Sequence, residues 1–275
     1  MEKLSEILKS IKDLSIDDIE NIFSEYLLNH ERPIYDFNIE TIYRARKIKG
    51  EDFEKKIKEI KDISYPNWKK IKKDYHVYNR CSDKGQNFFY GSNSFETIVK
   101  EVRPDNDYLL VIGAFSFKDT NQKITAQVVD IELEKRINQD SFFRDFEFKN
   151  DIDVNFDQFI SNIFKEKIEK DEEYRYKISI AMTNILLKNE NIGCLKYPSI
   201  ANNEKMFNYG IKPEFVDEYL FCKDVYVYRI NIIDKHLILL PIAHALGLKP
   251  EDSELNFKRF NQYDRYSNIK IYNKN

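Results

Sequence analysis

The stretch NFFYGSNSFETIVKEVRPDNDYLLVIGAFSF, residues 87–117, reads as strand, helix, strand, and sets the class of the fold. Residues 86–90 form a short aromatic run ending in Tyr90. Ser94 offers an oxygen to cap a helix, and Phe95, Ile98, Val99 and Val102 then recur on one face of it. Pro104 has no N–H with which to continue that helix. The run YLLVIGAFSF at 108–117 lacks polar alternation, so it is predicted as a strand covered on both faces. Glu101 lies beside the apolar stripe of the helix rather than within it, on a cleft edge or toward solvent.

Working outward, an upstream strand is predicted over about 39–48, with Arg44 and Arg46 on one face by two-residue alternation. The Lys-rich span 49–73 places Phe53, Ile57 and Ile60 at helical spacing and reads as a solvated helix. Residues 1–29 read as two short helices, one carrying Leu4, Ile7, Leu8 and Ile11, the other Ile19, Ile22, Phe23, Tyr26 and Leu27. Ser15, three before Asp18, caps the second. Downstream, ITAQVVDIEL at 124–133 reads as a strand whose parity change near Val128 and Val129 implies a bulge. Residues 134–153 show no period, and Asn155 with Gln158 looks like a capping box opening a helix through Phe164. A further helix is expected over about 173–188, strands at 224–233 and 236–242, and a loose tail beyond Pro250. The whole reads as a mixed α+β fold with added helices.

Composition narrows the function. The 275 residues are 42% hydrophobic and 33% charged, with a net charge of −3, which suits a soluble globular protein and gives no basic field for nucleic acid or anionic membrane. No apolar run approaches the roughly 18–20 residues of a membrane span. The N-terminus lacks the apolar centre of a signal peptide, so a reducing cytoplasm is the expected home. Three scattered cysteines and four scattered histidines argue against a disulfide framework, a metal centre or a Ser–His triad. Phosphate-loop, dinucleotide-fold and nucleophile-elbow strings are missing. Seven glycines against twenty Phe and eighteen Tyr suggest an aromatic core rather than a Gly-rich phosphate loop.

What remains is a cadence: Arg80, Tyr90 ten residues later, and Glu101 eleven further. A guanidinium suits phosphates, an aromatic face suits a flat ring, and a carboxylate suits a developing ribosyl cation. The segments IYRARK (42–47), NRCSDKGQNFFYGSNSFETIVKEVR (79–103) and NIGCLKYPSIAN (191–202) together resemble the RES-domain family of bacterial NAD-degrading toxins, whose fold is similar to that of ADP-ribosyltransferases. Tyr78 and Asn79 stand where that family places two glycines, and Ser82 where it places Asn.

The resemblance implies that Glu101, Arg80, Tyr90 and Ser199 are catalytic, and that Arg44, Arg80, Tyr90, Ser199 and Asn202 bind substrate, with Asn203 nearby. Arg80 would clamp the NAD pyrophosphate with Arg44 as a second clamp, Tyr90 would stack on nicotinamide or its ribose, Glu101 would face the ribosyl centre, and Ser199 would bond the ribose or orient Glu101. No metal or cofactor is implied, because NAD is itself the substrate and water or phosphate the acceptor. A toxin or defence role, an antitoxin or regulatory partner and homo-oligomer contacts are likewise implied. Residues 1–38 are read as a helical extension, 39–245 as the catalytic domain with an insertion at about 118–175, and 246–275 as a tail. The alternatives are an ADP-ribosyltransferase acting on a macromolecule and a non-enzymatic interaction protein that uses its Lys-rich helix.

Overall fold

The computed structural model describes residues 10–27, 32–66, 71–73, 76–138, 143–149, 151–201, 206–261, 264 and 267–273. The first N-terminal helix of the sequence reading, with Leu4, Ile7 and Leu8, lies outside them.

Eleven strands share one mixed sheet: β1 (Ile34–Phe37), β2 (Ile42–Lys49), β3 (Phe89–Ser92), β4 (Tyr108–Phe117), β5 (Ile124–Val128), β6 (Cys194–Pro198), β7 (Phe207–Ile211), β8 (Leu220–Ile233), β9 (His236–Ala245), β10 (Lys258–Arg259) and β11 (Lys270–Asn273). Their order is β1-β5-β6-β7-β3-β2-β4-β8-β9-β10, with β11 also on β9. Seven α-helices occur among the described residues: α1 (Ile16–Leu27), α2 (Phe53–Lys56), α3 (Phe95–Glu101), α4 (Ile131–Ile137), α5 (Asp151–Lys165), α6 (Tyr176–Leu186) and α7 (Pro213–Tyr219). None is long and apolar enough to cross a membrane.

The quoted stretch becomes β3, α3 and β4, as its pattern predicts, although Tyr90 falls inside β3 rather than at its end. Ser94 Oγ accepts from the Thr97 N–H at 3.2 Å and caps α3. β4 lies between β2 and β8 and is covered on both faces. Leu110 and Ile112 pack with Ile98 and Val99 of α3, whereas Leu109, Val111 and Phe115 pack with Phe53 and Ile63 on the other side. That two-sided burial is why β4 is apolar without alternation.

Among the described residues, β5 and β6 form the one parallel pair in the sheet. Parallel neighbours need a long crossover, and here it carries α4, α5 and α6. The crossover buries Phe156, Ile160, Phe164, Ile178 and Met182 against Leu195 and Tyr197 of β6. α1 adds Ile19 and Phe23 to this layer, with Phe23 stacked on Phe159 at 5.8 Å. Ser15 caps α1 as expected, its Oγ accepting from the Asp18 N–H at 3.1 Å while Asp18 accepts from the Ser15 N–H at 3.0 Å.

Four expectations are corrected. The Lys-rich span is no long helix: α2 makes one turn, Ile57 is extended, and a 3-10 turn follows at Ile60–Asp62. Its backbone pairs instead with the C-terminal segment, Leu255 N–H donating to Lys58 O at 2.8 Å and Ile60 N–H to Ser253 O at 2.9 Å. Correspondingly, the tail is not loose: Phe257 packs edge-on against Phe53, and β10 and β11 extend the sheet through β9. The strand expected over 124–133 stops at Val128, because Asp130 turns left-handed (φ 69) and caps α4 by accepting from the Leu133 N–H. Asn155 sits one turn inside α5, which already begins at Asp151, so it does not open the helix. β5 pairs within the sheet between β1 and β6, and β1 forms the sheet's edge.

Candidate functional site

β2 and β3 meet at a single paired position, Tyr43 with Ser92, so the sheet is nearly divided there. Gly91 lets the strands approach: a Cβ would stand 2.4 Å from Ile42 Cγ2 and 3.0 Å from Tyr43 O. Beside this seam lies a cleft of about 1510 Å³, lined by Arg44, Arg80, Tyr90, Gly91, Glu101 and Tyr197 among others. Arg44, only 9% exposed, bridges the seam by donating from Nη1 to Tyr90 O at 2.9 Å. Its Nε donates to Ile63 O at 3.1 Å and Ser64 O at 2.7 Å. Arg46 points to the same side and donates to Asp62 O, as the alternation predicts. Arg44 therefore serves as a staple whose charge is met by backbone dipoles, a heavier structural duty than a clamp free for phosphate.

Arg80 occupies the tip of a tight turn in which Asn79 and Ser82 pair with each other. Its Nη1 donates to Ile163 O at 3.1 Å and its Nη2 to Glu166 O at 2.8 Å. These carbonyls end α5, where the helix dipole favours a cation. The guanidinium also lies 5.3 Å from the centre of the Tyr176 ring. Tyr90 holds the turn from beneath: its hydroxyl oxygen accepts from the Cys81 N–H at 3.0 Å and is hydrogen-bonded to Ser82 Oγ at 2.8 Å. Ser82 thus has a positioning task of its own. Burial pushes the Tyr90 phenol well above its ordinary pKa, so it stays protonated across the physiological range.

Glu101 ends α3 and lines the cleft. Its Oε1 accepts from Ser199 Oγ at 2.6 Å and from Asn208 Nδ2 at 2.6 Å. Both donors are buried, Ser199 at 0% and Asn208 at 6% exposure. They follow from strand pairing: β6 and β7 run antiparallel with Tyr197 opposite Asn208, and Ser199 comes directly after β6, its N–H donating to Met206 O. Among the described residues Oε2 takes no hydrogen bond. The carboxylate is thus oriented through one oxygen.

The expected residues Arg44, Arg80, Tyr90 and Glu101 are all brought to this cleft, and Ser199 meets it through Glu101. Asn202 and Asn203 lie outside the described residues. Sequence reasoning missed Asn208, whose signal is a lone amide in the aromatic strand FNYGI. It also missed that the crossover forms a wall, through Phe164, Lys167, Ile168 and Tyr176. No group of three or more His, Cys, Asp or Glu is gathered for a metal among the described residues. Chemically, the cleft joins an oriented carboxylate to aromatic walls and guanidinium groups, a set that can hold a cationic or polyanionic ligand with a reacting centre at Glu101. Searches against protein-family models and against curated proteins return no match for this chain.

Proposed function

We propose that this chain cleaves the bond between nicotinamide and ribose in NAD, acting as a toxin or defence effector of the RES-domain kind with an ADP-ribosyltransferase-like core. The observation that carries the reading is the Glu101 carboxylate, fixed by Ser199 and Asn208 on the wall of a cleft that also holds Tyr90 and three arginines. Nicotinamide in NAD is a cationic leaving group, so cleavage requires stabilisation of ribosyl charge rather than protonation.

In this reading Glu101 Oε2 faces the ribosyl C1′. The C1′–N bond breaks with its electron pair passing to the pyridine nitrogen, and nicotinamide departs neutral. Water then forms the C1′–O bond, releasing one proton and giving ADP-ribose; phosphate as acceptor gives a phosphorylated ADP-ribose. Tyr90, neutral and pinned at its hydroxyl, presents its ring edge or face to the bound nucleotide and holds the Arg80 turn in place. A protein that covers this cleft would act as an antitoxin by excluding NAD.

Incubating the purified protein with NAD, with and without phosphate, and identifying products by mass spectrometry tests the reading. Nicotinamide release that falls about 100-fold or more in Glu101→Gln is the expected outcome. Intact NAD under both conditions refutes it, and label from NAD appearing on a macromolecule faster than free ADP-ribose assigns a transferase instead.

A further inference from the structure

The cleft contains more cations than its occupied guanidinium groups, and they differ in what they already hold. Arg44 is committed to three backbone carbonyls and Arg80 to two, with a tyrosine ring beneath. Lys100 is paired with Glu96 at 2.8 Å and Lys167 with Glu169 at 3.1 Å. Arg103 differs. It lines the cleft, its residue is exposed, and its side chain makes no hydrogen bond or ion pair among the described residues.

The backbone at Arg103 is also held where arginine does not favour it. Its φ is +46°, in the left-handed region, and its N–H closes the end of α3 by donating to Lys100 O at 3.0 Å. Glycine is the usual residue for this helix-ending conformation. Pro104 follows, and a residue before proline ordinarily takes extended backbone. Strain of this kind at a cleft edge is characteristic of residues kept for their side chain. Two positions earlier stands Glu101, so the same helix end carries the carboxylate and the uncommitted guanidinium.

We infer that Arg103 is the group that binds the substrate's pyrophosphate, presenting the planar N–H fork that Arg44 and Arg80 have already turned toward protein carbonyls. This rests on the proposed NAD chemistry and adds the residue that selects phosphate-bearing substrates. Arg103 is a binding residue that anchors the dinucleotide while Glu101 serves the reacting centre. Arginine fits this task because two parallel N–H···O bonds fix orientation as well as charge.

Steady-state kinetics of wild type, Arg103→Ala and Arg103→Gly with NAD and with nicotinamide riboside, which has no phosphate, test the inference. The expected result is a KM for NAD raised roughly tenfold or more in both variants with kcat little altered. The loss with NAD should exceed the loss with nicotinamide riboside by a similar factor. Arg103→Gly should unfold at no lower temperature than wild type, because glycine accepts the left-handed backbone, and so separates binding from folding. Equal losses on both substrates, or none on either, overturn the inference. Calorimetric titration with ADP-ribose keeps it separate from the reading beneath it. Wild type that binds ADP-ribose but releases no nicotinamide refutes only the cleavage, and weaker binding by Arg103→Ala then still supports the inference. Equal binding by both proteins, or binding by neither, overturns it.

Discussion

Replacing Arg44 by methionine removes the guanidinium while keeping most of the side chain's length and bulk. Two buried carbonyls, Ile63 O and Ser64 O, and the part-buried Tyr90 O then lose this donor. Nε is shared between the first two, so the loss amounts to two charged donor groups. At about 1.5–3 kcal/mol for each hydrogen bond to a charged group, the cost is about 3–6 kcal/mol. That is a large part of the roughly 5–15 kcal/mol that holds a folded domain. With a urea slope of about 3 kcal/mol per molar, the unfolding midpoint followed by circular dichroism should fall by about 1–2 M. Arg44→Lys keeps the charge but offers one nitrogen, so roughly half the loss is expected. The reasoning is refuted if Arg44→Met unfolds at the wild-type urea concentration and yet loses NAD turnover. Arg44 would then be chiefly a substrate clamp and the seam would be held by other means.

Asn208→Ala removes one of the two donors to Glu101 Oε1, so kcat for NAD should fall about 10–100-fold with KM nearly constant. Asn208→Asp removes the same donor and sets a second carboxylate beside Glu101, so kcat should fall at least as far as in Asn208→Ala; a kcat retained in Asn208→Asp counts against the pairing. Asp130 predicts an acid transition. Burial alone would raise its carboxyl, but Lys165, Ser161 and the Leu133 N–H together bring it below the ordinary carboxylate value. A carboxyl with a depressed folded-state pKa stabilises fully above about pH 4 and loses that contribution as pH falls through the lowered value. Asp130→Asn should therefore flatten the decline of urea midpoints below about pH 4, and an unchanged slope would exclude Asp130 as a source of acid lability.

The strand–helix–strand unit at 87–117 was legible because each local signal agreed with its tertiary surroundings: the Ser94 cap, the α3 stripe, Pro104 and the unbroken apolar run of β4. Arg80, Tyr90 and Glu101 stood out by spacing and Ser199 by the resemblance, although neither says what each already holds. The Lys-rich span was misread because its competing partners, Ser253 and Leu255, lie about two hundred residues away and leave no periodic trace nearby. The end of β5 was missed because a left-handed Asp130 converts apparent alternation into a helix start. Asn208 went unnoticed because one polar residue in a short aromatic strand carries little local signal; its meaning arises only when β6 and β7 pair. The wall contributed by α5 and the segment after it follows from a parallel strand pair, which no local window reveals.

The distance along the chain between Glu101 and its two donors has a bearing on biosynthesis. Ser199 and Asn208 lie 98 and 107 positions downstream of the acid they orient. At about 5–20 residues per second of translation, the carboxylate leaves the ribosome roughly 5–20 s before the second of its donors. Throughout that interval a nascent polypeptide bears the acid without the two donors that orient it. A message broken before the codon for Ser199 would yield a fragment with the same gap. The oriented carboxylate is thereby deferred until position 208 of the 275 residues has been made.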